Sequence, residues 1–108
     1  MLSVDGIQID PESGAVVRFG EPVRLTRKER LLMRELAVNA GRTVTSDAML
    51  TNVWGVKYRQ EVQYLRVWMS RLRSKLELDP ATPSLIKTVQ GMGYLLDAGS
   101  DRVTAPTP

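Results

Sequence analysis

The spacing of the apolar residues changes at Thr26, and this change is the strongest limit on the folds open to the chain. Before Thr26, the runs "LSVDGIQID" and "AVVRFG" mix apolar with polar residues as strands do, and "PESG" between them is a turn sequence. A second turn is predicted at 20–22, followed by the strand "VRL" at 23–25. Residues 2–25 are therefore predicted to form an antiparallel sheet.

After Thr26 the apolar residues follow the period of amphipathic helices. Thr26 and Glu29 are spaced as a capping box, and Gly41 suits the position just past a helix end, so a first helix is predicted over about 27–40. Thr45 is the expected N-cap of a second helix over 46–54, where Asp47 favours the positive end of the helix dipole. The residues expected to face the core in these helices are Leu32, Met33, Leu36, Ala37, Ala40, Met49, Leu50 and Val53.

A third helix is predicted over 61–78, where "EVQYLRVWMSRLRSKL" spaces its apolar residues by three and four positions. The expected buried stripe consists of Val62, Leu65, Met69, Leu72 and Leu76. Opposite this stripe lies an outward row formed by Tyr64, Val67 and Arg71. Pro80 and Pro83 prevent the helix from continuing.

The C-terminal part predicts a hairpin and a tail. Two apolar runs, "SLIKTV" and "YLLD", flank "QGMG" and predict a β-hairpin over 85–96. The polar, proline-containing residues 98–108 show no periodicity and are predicted to be disordered. A length of 108 residues fits one domain, here residues 1–97. Together the elements predict an α+β fold, a winged helix-turn-helix.

The residues absent from the composition narrow the function classes. The chain has no cysteine and no histidine, which removes most metal sites, the Cys–His and Ser–His nucleophile pairs and the commonest general base. We therefore expect a protein that is not an enzyme and needs no cofactor or metal. The lack of cysteine fits a reducing cytoplasm. The sequence shows neither a signal peptide nor an apolar run of about 18 residues, so no membrane association is expected.

The positive charge is concentrated in one segment. The net charge of the chain is +3, but residues 57–75 carry a net charge of +5 and the other residues sum to −2. The basic residues of this segment are Lys57, Arg59, Arg66, Arg71, Arg73 and Lys75, against the single acid Glu61. A basic segment on a mildly acidic body predicts an electrostatic surface for a polyanion.

The outward row of the third helix has the side chains that a helix in the DNA major groove needs. Arginine can bind guanine O6 and N7 together, and valine can contact a thymine methyl group. The candidates for base contacts are Tyr64, Arg66, Val67 and Arg71. Residues beside the row would meet phosphates, which fix the register without reading sequence. These phosphate candidates are Gln63, Ser70, Arg73 and Lys75, joined by Thr45 because helix N-termini suit anions. An ordinary solvated helix face is the alternative interpretation of the same pattern.

Five motifs in order make the chain resemble a known family. These are "LTRKE", "GR" at 41–42, "VWG" at 53–55, "RLRSKL" at 71–76 and "IKTVQGMGY" at 86–94. From about residue 6 to 97 the chain resembles the winged-helix effector domain of OmpR/PhoB-type response regulators. The stretch "YLRVWMSRLRSKLE" is most similar to the KdpE branch of that family.

The resemblance implies a fold, a function and partners. It implies a four-stranded N-terminal sheet, a third helix in the major groove of promoter DNA, and regulation of transcription within a two-component system. Direct repeats would be bound by a tandem, head-to-tail dimer. Trp54 and Tyr94 match family positions that contact phosphates, and Thr88 and Gln90 fall in the wing that touches the minor groove. The loop before the third helix would meet RNA polymerase, with Tyr58 and Arg59 as its contact residues, or serve as a plain connector between the helices.

Two departures from the family pattern qualify the resemblance. Gln90 stands in the wing where many relatives carry arginine or lysine, so the minor-groove contact should be weaker or made by hydrogen bonds. The family also carries a receiver domain, which controls dimerisation and for which 108 residues leave no room. The chain is then either a fragment of a longer regulator or a stand-alone domain.

Two other function classes remain open from the sequence. A non-specific or RNA-binding winged helix could use Tyr64 and Trp68 as stacking surfaces. A protein-interaction winged helix could dock its basic helix on an acidic partner. Salt dependence separates the latter from DNA binding, because counterion release from a duplex gives a steep slope of affinity against salt.

Overall fold

The computed structural model describes residues 1–4, 6–77 and 84–97. This part of the chain contains two small sheets and three α-helices, which confirms the predicted α+β class. The elements in order are β1 (Leu2–Val4), β2 (Ile7–Ile9), β3 (Val16–Arg18), β4 (Glu21–Pro22), α1 (Arg27–Val38), β5 (Val44–Thr45), α2 (Ser46–Trp54), a 3-10 turn (Val56–Tyr58), α3 (Val62–Leu76), β6 (Ile86–Val89) and β7 (Gly93–Leu96).

The N-terminal sheet has four antiparallel strands in the order β1-β2-β3-β4. The run "LSVDGIQID" forms a hairpin of two strands, which bends at Gly6 with a φ of +81°. The turn predicted at 20–22 is wrong, because Glu21–Pro22 forms β4 and pairs with β3. Phe19 and Gly20 make the bend instead, both with positive φ. Pro22 is tolerated because an edge strand need not donate every backbone hydrogen bond.

Helix α1 starts with the predicted capping box. The Thr26 hydroxyl accepts a hydrogen bond from the Glu29 backbone N–H at 3.2 Å, and the Glu29 carboxylate accepts one from the Thr26 N–H at 2.8 Å. The helix ends at Val38, two residues before the predicted end. Gly41 then has a φ of +83°, and its N–H donates to the Leu96 carbonyl, which ties the end of α1 to β7.

A second sheet, in the order β5-β7-β6, contains the predicted hairpin and one strand that was not predicted. Strand β5 pairs Val44 with Tyr94 and Thr45 with Gly93. A Cβ atom on Gly93 would overlap the Val44 carbonyl oxygen, so glycine is required for this close pairing. The extra strand joins the wing to the start of α2.

Helix α3 buries four of the five residues in its predicted stripe. Leu65, Met69, Leu72 and Leu76 have no exposed surface, whereas Val62 is 43% exposed. The prediction for Val62 is wrong because the first turn of α3 extends past the core and borders a cleft beside the wing. The helix ends at Leu76. The predicted roles of Pro80 and Pro83 and of the tail at 98–108 fall outside the described residues.

None of the helices in the described ranges has the length and apolarity that a membrane crossing requires. The same ranges contain no group of three or more His, Cys, Asp or Glu residues that could hold a metal ion.

Candidate nucleic-acid interface

The outward row lies on the exposed side of α3. Tyr64 and Val67 are 42% and 51% exposed, and Arg71 is exposed one turn further along. On the opposite side of the same helix the leucines and Met69 are fully buried. Because those side chains hold the helix against the core, the outward row is presented on a rigid backbone.

An aromatic cluster of Trp54, Tyr58, Tyr64 and Trp68 joins α2, the 3-10 turn and α3. The Trp54 ring lies 5.2 Å from the Tyr64 ring and 5.6 Å from the Trp68 ring, measured between centroids. The Tyr58 ring lies 6.0 Å from the Tyr64 ring, measured in the same way. Tilted and edge-on pairs of this kind are favourable beyond the area they bury. The cluster fixes Trp54 and Tyr64, two of the predicted DNA contacts, at one end of α3.

Cations border this cluster on two sides. The Arg71 guanidinium lies 5.4 Å from the centroid of the Trp68 ring. The Lys28 ammonium lies 5.6 Å from the Trp54 ring and donates to the Val53 carbonyl at 3.1 Å. Lys28 thereby links α1 to the end of α2, a contact with no signal in the local sequence pattern.

Arg73 connects α3 to the wing, the hairpin formed by β6 and β7. Its guanidinium donates to the Ile86 carbonyl at 3.1 and 3.0 Å and to the Thr88 hydroxyl at 2.7 Å. It also lies 5.4 Å from the centroid of the Tyr94 ring. The sequence predicts that Arg73 contacts a phosphate. In the structure its hydrogen bonds also hold the wing at a fixed position beside α3.

Glu77, at the C-cap of α3, is a buried residue that the sequence analysis did not single out. Its carboxylate accepts hydrogen bonds from the backbone N–H groups of Ser84, Leu85 and Ile86, at distances between 2.7 and 3.1 Å. These contacts hold the start of β6 against the end of α3. The donors follow Glu77 by only seven to nine residues, but no local sequence pattern predicts hydrogen bonds of this kind.

Lys75 lies in an ion pair on the side of α3 that faces α1. Its ammonium is 2.6 Å from the Glu29 carboxylate, whose side chain is only 2% exposed. Burial raises the pKa of Glu29, but the hydrogen bonds from Lys75 and Thr26 outweigh this effect and leave the pKa below its ordinary value of 4.5. Lys75 therefore holds α3 to α1, and its contact with a phosphate stays a prediction.

Replacing Lys75 with methionine should lower the free energy of unfolding by about 1–2 kcal/mol, because a buried carboxylate loses its partner while Lys75 itself is partly exposed. The loss should appear in urea denaturation at neutral pH. It should shrink as the pH falls and disappear once the pH passes through the pKa of Glu29 in the folded protein, which lies below 4.5, because the protonated carboxyl no longer pairs with Lys75. A change of the DNA-binding salt slope by about one unit, with stability unchanged, would instead support the predicted phosphate contact of Lys75.

A cleft of about 200 Å³ separates the start of α3 from the wing. Val62 and Arg66 line it from α3, Ser46 from α2, and Met92 from the bend of the wing. Tyr94 closes its floor, and burial raises the pKa of this phenol although the positive charges of Arg73 and Arg66 act in the opposite direction. The cleft places the exposed Arg66 side chain between the outward row and the wing.

The remaining predicted residues lie on α2, α3 and the wing, and among them Thr88 and Tyr94 line this cleft. The Thr45 hydroxyl caps α2 by accepting from the Ala48 N–H at 3.1 Å, as predicted. The Ser46 N–H donates to the Met92 carbonyl, which links the start of α2 to the bend of the wing. Thr88 and Gln90 are exposed on the wing, and Gln63 and Ser70 are exposed on α3. Tyr94 is only 5% exposed, so little of its side chain is accessible for a phosphate.

The predicted polymerase-contact residues lie apart from the wing. Tyr58 ends the 3-10 turn and is 36% exposed, and its ring is tilted against that of Tyr64. Arg59 follows it and is exposed. Both residues are therefore exposed in the domain, and Tyr58 lies beside Tyr64 of the outward row.

Comparisons with known proteins identify the family. Residues 20–96 match the family described as "Transcriptional regulatory protein, C terminal". The chain is 38% identical over 98 residues to the transcriptional regulatory protein KdpE of Mycobacterium tuberculosis, covering 91% of this chain and 43% of that protein. It is 39% identical over 97 residues to the sensory transduction protein RegX3 of Mycolicibacterium smegmatis, with 90% and 42% covered. These two values are nearly equal, so they do not separate a KdpE branch from the rest of the family.

Solved structures give the same result. The DNA-binding domain of RstA from Klebsiella pneumoniae, in complex with the RstA box, is 37% identical with a TM-score of 0.77, and the match covers 90% of this chain and 96% of that one. The DNA-binding domain of CpxR from E. coli is 27% identical with a TM-score of 0.73, covering 89% and 94%. The chain spans less than half the length of the curated relatives it matches. It belongs to the family of C-terminal domains of transcriptional regulatory proteins, and its resemblance to OmpR/PhoB-type response regulators is confirmed.

Proposed function

We propose that this domain binds double-stranded promoter DNA in a sequence-specific way and thereby regulates transcription in the bacterial cytoplasm. Helix α3 lies in the major groove and the wing lies over the neighbouring minor groove. The observation that carries the proposal is the outward row, in which Tyr64, Val67 and Arg71 are exposed on a helix whose other side is fully buried. The solved complex of the related RstA domain with its DNA box supports it.

The charges around the row support binding to a polyanion. Lys57, Arg59, Arg66 and Arg71 are exposed, and none of them has an ion-pair partner among the described residues. A cation that is exposed and unpaired can release a counterion from DNA at no cost in protein contacts. Arg73 and Lys75 contribute less, because their side chains already hold the wing and α1.

The aromatic cluster argues against a stacking platform for RNA or single strands. Such a platform needs ring faces that are open to successive bases. Here the rings of Trp54, Tyr64 and Trp68 contact one another in edge-on and tilted pairs, so they do not form a row of parallel faces. The exposed side chains of the outward row therefore suit double-stranded DNA better than RNA or single strands.

The proposal extends to the partners that the family resemblance implies. The domain binds direct repeats as a tandem, head-to-tail dimer, and the accessible loop with Tyr58 and Arg59 contacts RNA polymerase. A phosphorylated receiver domain outside these residues controls dimerisation. These partners rest on the family alone, whereas DNA binding also rests on the exposed row and its charges.

In vitro selection from randomised duplex DNA, with the purified domain at near-physiological salt, tests the proposal. We expect enrichment of direct repeats spaced by about one helical turn. The affinity for the enriched duplex should fall steeply with salt, by roughly 0.9 in log–log slope for each phosphate neutralised. A folded domain that enriches no sequence contradicts specific DNA binding. A shallow salt slope with an acidic protein as ligand would favour the protein-interaction class instead.

Replacing Arg71 with alanine should relax the preference at one base position of the enriched duplex by about 1–3 kcal/mol, because a bidentate contact to guanine is lost. Binding of the alanine variant to the set of single-base variants of that duplex measures the change. Arg34→Ala, which removes an exposed charge from α1, is the matched control and should leave every base preference unchanged. An Arg71 variant with unaltered preference would rule out base reading by this side chain.

A further inference from the structure

One ring of the aromatic cluster, the indole of Trp68, also contacts an arginine of α3. The Trp68 ring packs against two other rings, with its centroid 5.6 Å from that of Trp54 and 6.5 Å from that of Tyr64. The Arg71 guanidinium lies 5.4 Å from the indole centroid. Residues three apart on a helix are neighbours on its surface, so this stack forms within one turn of α3.

We infer that Trp68 is a positioning residue for Arg71, and that it sharpens the base preference of the domain without contacting a base. This inference rests on the proposed DNA-binding function. A free arginine side chain loses much rotamer freedom when it binds, which weakens the contact that it makes. An arginine that is already stacked on an indole loses less, because part of its freedom is restricted before DNA arrives.

The surroundings of Arg71 favour this role over a plain surface stack. The indole is half-buried and fixed by its ring contacts, whereas Arg71 is exposed and has no hydrogen-bond or ion-pair partner among residues 1–4, 6–77 and 84–97. The stack is therefore the interaction that sets the direction of the guanidinium in the free domain. An exposed cation–π contact of this kind should change base discrimination by roughly two- to fivefold.

A double-mutant cycle separates positioning from a merely structural role. The duplex most enriched by selection and its single-base variants are the probes, with wild type, Trp68→Leu, Trp68→Phe, Arg71→Ala and the double variant Trp68→Leu/Arg71→Ala. Trp68→Leu should reduce discrimination by roughly two- to fivefold at the one base position that Arg71→Ala identifies. Trp68→Phe should retain most of it, since a ring face remains. In the Arg71→Ala background the leucine substitution should have no further effect on that preference.

Phe19→Leu is the matched control. It removes an exposed aromatic ring that also has an arginine over it, Arg18 at 5.8 Å, but Phe19 lies in the bend before β4 and not on α3. Its base preferences should equal those of the wild type. The inference is wrong if Trp68→Leu weakens all duplexes alike, if Trp68→Phe behaves as the leucine variant does, or if the effect persists without Arg71. A wild type without sequence preference would instead refute the proposed function and this inference with it.

A measurement on the wild-type domain keeps the test independent of how the variants fold. The ring current of an indole shifts protons that lie over its face to lower frequency. In the NMR spectrum of the free domain, the side-chain protons of Arg71 should show this shift relative to those of Arg66, which has no described ring contact. Arg71 protons at the positions of an unstructured arginine would overturn the inference.

Discussion

Replacing Glu77 with alanine should lower the free energy of unfolding by about 2–5 kcal/mol, because at least two buried backbone N–H groups would lose their acceptor. The side chain is 5% exposed, and its bonds to the N–H groups of Leu85 and Ile86 are buried. Each unsatisfied buried donor costs about 1–3 kcal/mol. A domain of this size has a total stability of about 5–15 kcal/mol, so the variant should be close to unfolding on warming. Urea denaturation at 25 °C measures the loss.

Two variants control this experiment. Glu77→Gln keeps one acceptor oxygen and should lose less than the alanine variant. Glu61→Ala removes an exposed glutamate whose side chain makes no capping bond at the start of α3, and it should leave stability nearly unchanged. Hydrogen exchange at Leu85 and Ile86 should be faster in Glu77→Ala than in either control. A loss below about 1 kcal/mol would mean that water satisfies these N–H groups and that Glu77 does not hold the wing.

The helices could be predicted from the sequence because their signals are local. Thr26 and Glu29 are three residues apart, and their capping box depends on nothing outside that turn. The core side of α3 follows from the spacing of its apolar residues, which is the same information that defines the outward row. That spacing predicts the exposure of Tyr64 and Val67. The second helix has its observed ends in the prediction too, because its N-cap Thr45 is also a local signal.

The strands were harder to predict because they are short and their pairing is not local. Strand β5 has two residues and exists because Gly93 lets β7 approach it, from a position almost fifty residues away in the sequence. Strand β4 contains a proline inside what looks like a turn sequence. Val62 follows the apolar period of α3, but the core does not extend to the first turn of the helix. In each case the neighbour in space decides the outcome, and the local pattern does not identify that neighbour.

The same limit applies to the charged residues of the site. Arg71, Arg73 and Lys75 look equivalent in sequence, since all three are basic residues near the end of α3. Their partners differ: Arg71 stacks on Trp68 within its own helix, Arg73 binds residues 13 and 15 positions away, and Lys75 pairs with a glutamate 46 positions away. The number of basic residues in this segment therefore overstates the number of cations available to DNA.

Replacing Val67 with glutamate should lower the affinity for the selected duplex by about 100-fold or more, corresponding to about 3 kcal/mol. Val67 stands in the middle of the outward row, so a carboxylate there would face the electronegative groove of DNA. The new side chain would also lie one turn before Arg71, in the i, i+4 arrangement that favours an ion pair, and would draw that arginine away from the base that we propose it reads. Fluorescence anisotropy with the labelled duplex measures the loss.

Val38 provides the matched control for this substitution. It is 55% exposed, close to the 51% of Val67, but it ends α1 and is not part of the outward row. Val38→Glu makes the same change in charge and in polar surface, so it should lower affinity only by the small amount that net charge alone dictates. Circular dichroism should show both variants folded, because each valine is exposed and glutamate is a good helix former. Equal losses in the two variants would mean that general electrostatics, and not the face of α3, governs binding, because only the position of the carboxylate differs between them.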